Sequence, residues 1–216
     1  MTAKKPLVSA LSKTLIIAWL VITGSCYYAL VFMNLEMVTS EFGAVENIMY
    51  TEHGFIENLQ VFLLSLACAG FIYNIRNAEG YSRDITLFLA FLMVAFIVRE
   101  LGLDAISDTK LILFEGDGRL LYALPLIGLM LKALFNYKFY LKYFSVFLGA
   151  PSFQYLGLAA ILYGVISRIF EKNYMQVTHS GFWEESAEIA ACLLLFAIGC
   201  RIIGSDLKSI RAKIDS

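Results

Sequence analysis

The sequence predicts an all-α, polytopic membrane protein: a bundle of six transmembrane helices with both termini in the cytoplasm (N-in/C-in). Of its 216 residues, 59% are hydrophobic and 16% are charged, whereas an ordinary soluble domain carries about 25% charged residues. The apolar residues fall into six runs, each close to the roughly 20 residues that a helix needs to cross a bilayer. Lys and Arg are also distributed unevenly between the two sides of these runs, which is the usual signature of membrane orientation.

The six predicted spans are joined by polar segments. They cover residues 14–33, 57–75, 85–104, 119–137, 152–170 and 184–204. No linker rich in Pro, Gly and Ser and no low-complexity run divides the chain. Residues 1–216 are therefore expected to form a single transmembrane helical domain.

The segment 139–150 is expected to lie at the inner membrane interface, before the fifth span. Near its start, aromatic rings alternate with Lys138 and Lys142, a pattern typical of an interfacial aromatic belt. The same residues are also compatible with recognition of a lipid headgroup. Pro151 marks the bend into the fifth span, because proline disfavours a helical conformation in the residue before it.

Positive charge sets the orientation of the spans. With the N-terminus inside, 12 of the 17 Lys and Arg residues lie on the cytoplasmic side, whereas 14 of the 18 acidic residues lie outside. The first span, which follows Lys4, Lys5 and Lys13, is expected to act as an uncleaved signal. The predicted location is the cell inner membrane, with a multi-pass topology.

Composition and cysteine spacing argue against nucleic-acid binding and against a metal site or disulfide framework built from cysteines. The net charge is −1, and no basic stripe with interleaved aromatic residues indicates nucleic-acid binding. The cysteines fall in apolar runs, without the CxxC or Cys/His spacing of a metal site or a disulfide framework. They are Cys26, Cys68, Cys192 and Cys200. We expect all four to be small core residues.

Two helix starts share the pattern T-x-x-G-F-x-E. Residues 51–57 enter the second span and residues 178–184 enter the sixth. A capping Thr or Ser and an early acid suit the positive end of a helix dipole. That explains Glu57 and Glu184 but not the shared Gly-Phe pair, so a repeated structural element and coincidence both stay open.

Ionisable residues accumulate in the outer half of several predicted helices, where helical spacing places many of them on common faces. The set comprises Glu57, Arg99, Glu100, Asp104, Glu184, Glu185 and Glu188. Charged groups at membrane depth are costly and usually face the bundle interior or a wet cavity, in pairs. The sequence is compatible with an ion-pair network that joins helices, with a binding site for a cation, metal or proton, and with catalysis.

A metal site is the weaker interpretation of the same region. Glu52, His53 and His179 are candidate ligands, because imidazole and carboxylate groups both suit zinc and similar divalent metals. Neither histidine belongs to an HxxxH or HExxH pair. Each is also explained as a polar residue at the membrane interface.

Three short motifs carry a resemblance to a known group. They are the T-E-x-G-x-x-E helix start at residues 51–57, the R-E-L helix at 99–101 and the E-E-x-x-E helix at 184–188. In these segments the chain resembles a group of small, uncharacterised bacterial multi-pass membrane proteins, which implies no particular activity. Ceramidase-like membrane hydrolases pair an acid with SxxxH and HxxxH zinc motifs, and both motifs are absent from this sequence.

The sequence thus predicts an integral inner-membrane protein with an outward-facing polar site rich in carboxylates and Arg. Its expected role is to bind a cation or cationic group, or to serve as a membrane subunit for a partner membrane protein. The alternative is a metal-dependent, membrane-embedded hydrolase acting on lipid, for which a divalent metal would be the cofactor. The expected partners are the lipid bilayer, a cation, a lipid headgroup or another membrane protein, and not nucleic acid.

Overall fold

The computed structural model describes residues 5–32, 37–39, 45–47, 55–101, 119–172, 174, 176 and 180–214. This part of the chain is helical apart from one small hairpin. The helices are α1 (Lys5–Phe32), α2 (Phe55–Ile75), α3 (Tyr81–Glu100), α4 (Arg119–Phe135), α5 (Tyr137–Lys142), α6 (Phe144–Leu148), α7 (Pro151–Ile161), α8 (Ser167–Glu171), α9 (Ser180–Ala197) and α10 (Ile203–Ile214). Two π-helical segments, Leu162–Ile166 and Ile198–Ile202, join α7 to α8 and α9 to α10.

The hairpin is a feature that the all-α prediction did not include. Strand β1 (Met37–Thr39) pairs antiparallel with β2 (Val45–Asn47), with Met37 opposite Asn47 and Thr39 opposite Val45. Val and Thr favour extended structure. Three residues in each strand are too few to establish a recognisable alternation in the sequence.

A helix occurs at each of the six predicted spans, but not all of these helices have the length of a span. Three are long and apolar enough to cross a membrane, and a fourth qualifies if its two bent parts form one span. They are Phe55–Ile75, Tyr81–Glu100, Pro151–Glu171 and the pair Ser180–Cys200 with Ile203–Ile214. Within α1 and α4, the apolar stretches Lys13–Tyr28 and Ala123–Phe135 are shorter than a span. A helical protein with several candidate membrane spans is therefore established, whereas the number six and the orientation stay predictions.

The chain groups into two compact units. Unit 1 comprises Met1–Gln60 and Leu158–Leu194, and unit 2 comprises Val61–Gly157 and Leu195–Ser216. That residues 1–216 form a single domain stays a prediction.

Helix α9 is the centre of unit 1. Its side chains are buried on most of its faces, as expected of a helix surrounded by protein. The indole N–H of Trp19 in α1 donates to the carbonyl of Ser186 at 2.9 Å. The ring of Tyr27 lies 5.6 Å from that of Phe182 and 6.0 Å from that of Trp183, measured between centroids. These contacts fix α1 against α9.

In unit 2, small residues allow α2 to approach the π-helical segment Ile198–Ile202 closely. A Cβ atom on Gly70 would lie 2.7 Å from the carbonyl carbon of Gly199, and one on Gly199 would lie 2.6 Å from the carbonyl oxygen of Ala67. The side-chain amide of Asn74 donates to the carbonyls of Gly70 at 2.7 Å and Gly199 at 3.0 Å. Close approach through small residues, supported by polar side chains, is typical of helix pairs in membranes.

A buried carboxylate caps α7 in unit 2. Helix α7 begins at Pro151, as expected, and Oδ2 of Asp206 accepts a 2.8 Å hydrogen bond from the backbone N–H of Ser152. Asp206 is 8% exposed. A negative charge at a helix N-terminus satisfies an N–H without an intrahelical partner and interacts favourably with the helix dipole.

The short helices α5 and α6 form an aromatic cluster in the segment predicted to be interfacial. The ring of Phe139 lies 5.1 Å from both Tyr81 and Tyr143, and that of Phe147 lies 5.2 Å from Phe153. Burial, together with the negative charge of Asp84, raises the pKa of the Tyr140 phenol. Its hydroxyl therefore stays protonated beyond the pH at which a free phenol ionises.

Candidate functional site

A polar cluster in unit 1 lies along one face of α9. Glu185 and Glu188 are three residues apart and so project from neighbouring positions on the helix surface. Gln60 of α2 contacts the first and Ser167 of α8 contacts the second. We call these four residues the α9 carboxylate site.

Glu188 is a buried carboxylate held by a buried hydroxyl. Its side chain accepts a hydrogen bond at Oε1 from Oγ of Ser167, 2.7 Å away. Glu188 is 3% exposed and Ser167 is 2% exposed. Ser167 directly follows the π-helical segment Leu162–Ile166, and such segments are frequent at functional sites. The hydroxyl supplies a dipole but no positive charge.

Gln60 has one amide atom paired and the other unpaired. Its Nε2 donates to Oε2 of Glu185 at 2.6 Å. An ionised carboxylate can only accept hydrogen bonds, so the amide nitrogen must face Glu185 and the amide oxygen must face away. The residue is 0% exposed, and among the described residues Oε1 has no hydrogen-bond partner. A buried hydrogen-bond acceptor without a protein partner is expected to contact a bound group, such as a water or an ion.

Two further candidate acids of unit 1, Glu57 and Glu184, lie near the starts of their helices. Glu57 is in the first turn of α2, where the helix dipole favours a negative charge. Glu184 is the fifth residue of α9, and both side chains are partly exposed. The shared sequence pattern does not give shared packing, because Phe55 is 59% exposed and Phe182 is 1% exposed.

In unit 2, Arg99 forms an ion pair with its chain neighbour Glu100. The guanidinium Nε lies 3.7 Å from Oε1, and the two side chains are 47% and 7% exposed, respectively. The sequence predicts that Arg99 pairs with one or more of Glu57, Glu100 and Glu188 inside the bundle. The pair with Glu100 is present, but the Arg99 side chain is half exposed. It stays a prediction that the outer carboxylates and Arg99 share one site. Asp104 lies outside the described residues.

The metal interpretation concerns residues outside the described ranges. Glu52, His53 and His179 all belong to this part of the chain. Within the portion that the structure describes, no group of three or more His, Cys, Asp or Glu residues could hold a metal ion. The divalent metal and the lipid-hydrolase alternative therefore stay predictions.

None of the four cysteines forms a disulfide. Cys26, Cys68 and Cys192 are buried, which confirms their predicted core positions, but Cys200 is exposed. The core prediction is wrong for Cys200 because this residue lines a cleft of unit 2.

Comparison with protein-family models, with curated proteins and with solved structures found no match for this chain. The chemistry of the α9 carboxylate site therefore has to be argued from its own residues. The sequence placed Glu185 and Glu188 among the candidates, whereas Gln60 was not a candidate; its only sequence signal is its position three residues after Glu57, on the same helix face. It missed Ser167, for which the available signal was a hydroxyl residue within the apolar fifth span.

Proposed function

We propose that the chain is an inner-membrane protein of six spans with both termini in the cytoplasm, and that its α9 carboxylate site binds a cation or cationic group from the outer side. The observation that carries the binding proposal is the amide oxygen of Gln60, a fully buried acceptor without a hydrogen-bond partner in the described structure. It belongs to the same cluster as the carboxylates of Glu185 and Glu188.

The donor set of the cluster suits a cation bound through oxygen. An amide oxygen, two carboxylates and a hydroxyl are hard ligands of the kind that alkali and alkaline-earth ions prefer. The same acceptors would take the N–H groups of an ammonium ligand. A bound cation would pair the buried acceptor of Gln60.

The contacts of unit 2 support the proposed topology. The ammonium of Lys132 lies 2.8 Å from Asp84, and the guanidinium of Arg211 lies 3.0 Å from Glu79. The distribution of Lys and Arg assigns all four residues to the cytoplasmic side. Each ion pair thus joins residues that the proposed topology places on the same side of the membrane.

Binding of a cation should raise the melting temperature of the purified protein, since a ligand that binds only the native state stabilises it by mass action. We expect this with at least one of Na⁺, K⁺, Ca²⁺, Mg²⁺ and methylammonium, at constant ionic strength. Glu188→Gln removes a carboxylate, and Gln60→Met removes the amide acceptor together with the N–H group that donates to Glu185. Each should weaken binding at least about tenfold, equivalent to about 1.4 kcal/mol.

Glu171→Gln is the matched control for this experiment. Glu171 pairs with Arg168 and is 40% exposed, so its neutralisation removes a charge outside the cluster. Its cation response should equal that of the parent. Equal binding by the parent, Glu188→Gln and Gln60→Met, or no response to any of the five cations, would contradict the proposed site.

The topology has a separate test with cysteine substitutions and a membrane-impermeant thiol reagent. Glu46→Cys and Lys110→Cys should be labelled from outside intact cells, because the Lys and Arg distribution places both positions outside. Glu79→Cys should be labelled only after the cells are permeabilised. Labelling of position 79 in intact cells would reverse the topology.

A further inference from the structure

Unit 2 contains a cleft of about 370 Å³ that the proposed function does not use. One wall is formed by the end of α2 and the turn into α3, and the other by α10. The polar and charged residues that line it include Asn77, Glu79, Ser82, Ser205, Lys208 and Arg211. Cys200, Gly204 and Leu207 also contribute to its lining.

The lining has more positive than negative charge. Lys208 and Arg211 are three residues apart on α10, so they project from neighbouring positions of one helix face. Glu79 is the acidic residue among the residues that line the cleft. The formal balance is two positive charges against one negative charge, which favours an anion.

The acid in the cleft forms an ion pair that an anionic ligand could replace. Glu79 lies 3.0 Å from the guanidinium of Arg211, and the two side chains are 76% and 52% exposed. Exposed ion pairs of this kind contribute little, because water screens the charges and both long side chains lose conformational freedom. A ligand with more than one anionic oxygen would engage Arg211 in the two-pronged geometry that guanidinium groups favour.

We propose that this cleft binds a phosphate group, with Arg211 and Lys208 as its charged contacts and with hydroxyl and amide donors from Ser82 and Asn77. The site is separate from the cation site proposed above. Phosphate could be supplied by an anionic lipid headgroup or by a soluble phosphate. Both sources share the chemistry of the site, and basic pockets on the cytoplasmic side of membrane helices are known to bind lipid headgroups.

The test uses Cys200 as a reporter within the full-length protein. Cys200 lines the cleft and is exposed, whereas the other three cysteines are buried. Its alkylation by N-ethylmaleimide is followed in neutral detergent with inorganic phosphate against chloride at equal ionic strength. A second arm compares nanodiscs of phosphatidylcholine alone with nanodiscs that also contain phosphatidylglycerol. Binding to the cleft should slow the alkylation of Cys200 in at least one arm.

Three variants assign the effect to the cleft. Arg211→Gln and Lys208→Gln should each weaken the protection about three- to tenfold in apparent affinity, whereas Glu79→Gln should strengthen it, because a competing acid is removed. Lys132→Gln, which removes a cation that pairs with Asp84 and does not line the cleft, should match the parent.

The possible outcomes either distinguish a soluble phosphate from a lipid headgroup or contradict the proposed phosphate site. Protection by inorganic phosphate identifies a soluble ligand, and protection only in the phosphatidylglycerol nanodiscs identifies a lipid headgroup. Protection in neither arm overturns the proposal, and so does protection that Arg211→Gln and Lys208→Gln leave unchanged. The result is independent of cation binding at Glu188, so each proposal can fail without the other.

Discussion

Gly70→Ala and Gly199→Ala are each expected to lower the free energy of unfolding by about 1–3 kcal/mol, the usual cost of overpacking. A methyl group at either position would meet backbone atoms at 2.6–2.7 Å. Backbone atoms cannot rotate away as the end of a side chain can, so α2 and the segment Ile198–Ile202 would have to separate. Separation would also lengthen the hydrogen bond from Asn74 to the carbonyl of Gly199, now 3.0 Å.

The measurement is reversible unfolding in a single detergent, with Gly128→Ala as the control. Gly128 is also within a helix, α4, but a Cβ there would meet nothing within 4 Å. Since Ala is up to about 1 kcal/mol better than Gly in a helix interior, Gly128→Ala should be neutral or stabilising. We therefore expect alanine to lower the free energy of unfolding at Gly70 and Gly199, and to leave it unchanged or raise it at Gly128. If Gly70→Ala were as stable as Gly128→Ala, the close helix contact would be refuted.

Helix positions could be predicted from the sequence because long apolar runs are a local property. The end of the last helix could not be predicted in this way. The sixth span was predicted to end at residue 204, whereas α10 continues to Ile214. Ile203, Leu207 and Ile210 are buried with helical spacing among polar residues, an amphipathic pattern that mean hydropathy does not reveal. The close Gly70–Gly199 contact also depends on which helices pack together, which composition does not determine.

The types of residue in the candidate site could be predicted from the sequence better than the burial and contacts of each side chain. Charged groups at membrane depth were expected to face the bundle interior; Glu188 is buried, but the Arg99 side chain is half exposed. Long Arg side chains extend toward polar surroundings even when their backbone is not exposed. Ser167 was missed because its importance comes from the tertiary contact with Glu188.

The contact between Ser167 and Glu188 leads to the second large expected effect. Ser167→Ala should lower the free energy of unfolding by about 2 kcal/mol, since it removes a hydrogen bond to a charged acceptor. Both residues are almost completely buried, so water cannot readily replace the lost donor. In a Glu188→Met background the same serine substitution should have little effect, because the charged acceptor is absent.

Ser186→Ala is the control that separates this pair from the general cost of removing a buried serine. Ser186 is 2% exposed, and its hydroxyl donates at 2.8 Å to the carbonyl of Phe182, one turn earlier in its own helix. Such bonds contribute little, because that carbonyl already accepts from the helix backbone. The cost of Ser186→Ala should therefore be well below that of Ser167→Ala and independent of Glu188. Equal losses for Ser167→Ala with and without Glu188 would show that the hydroxyl does not stabilise this carboxylate.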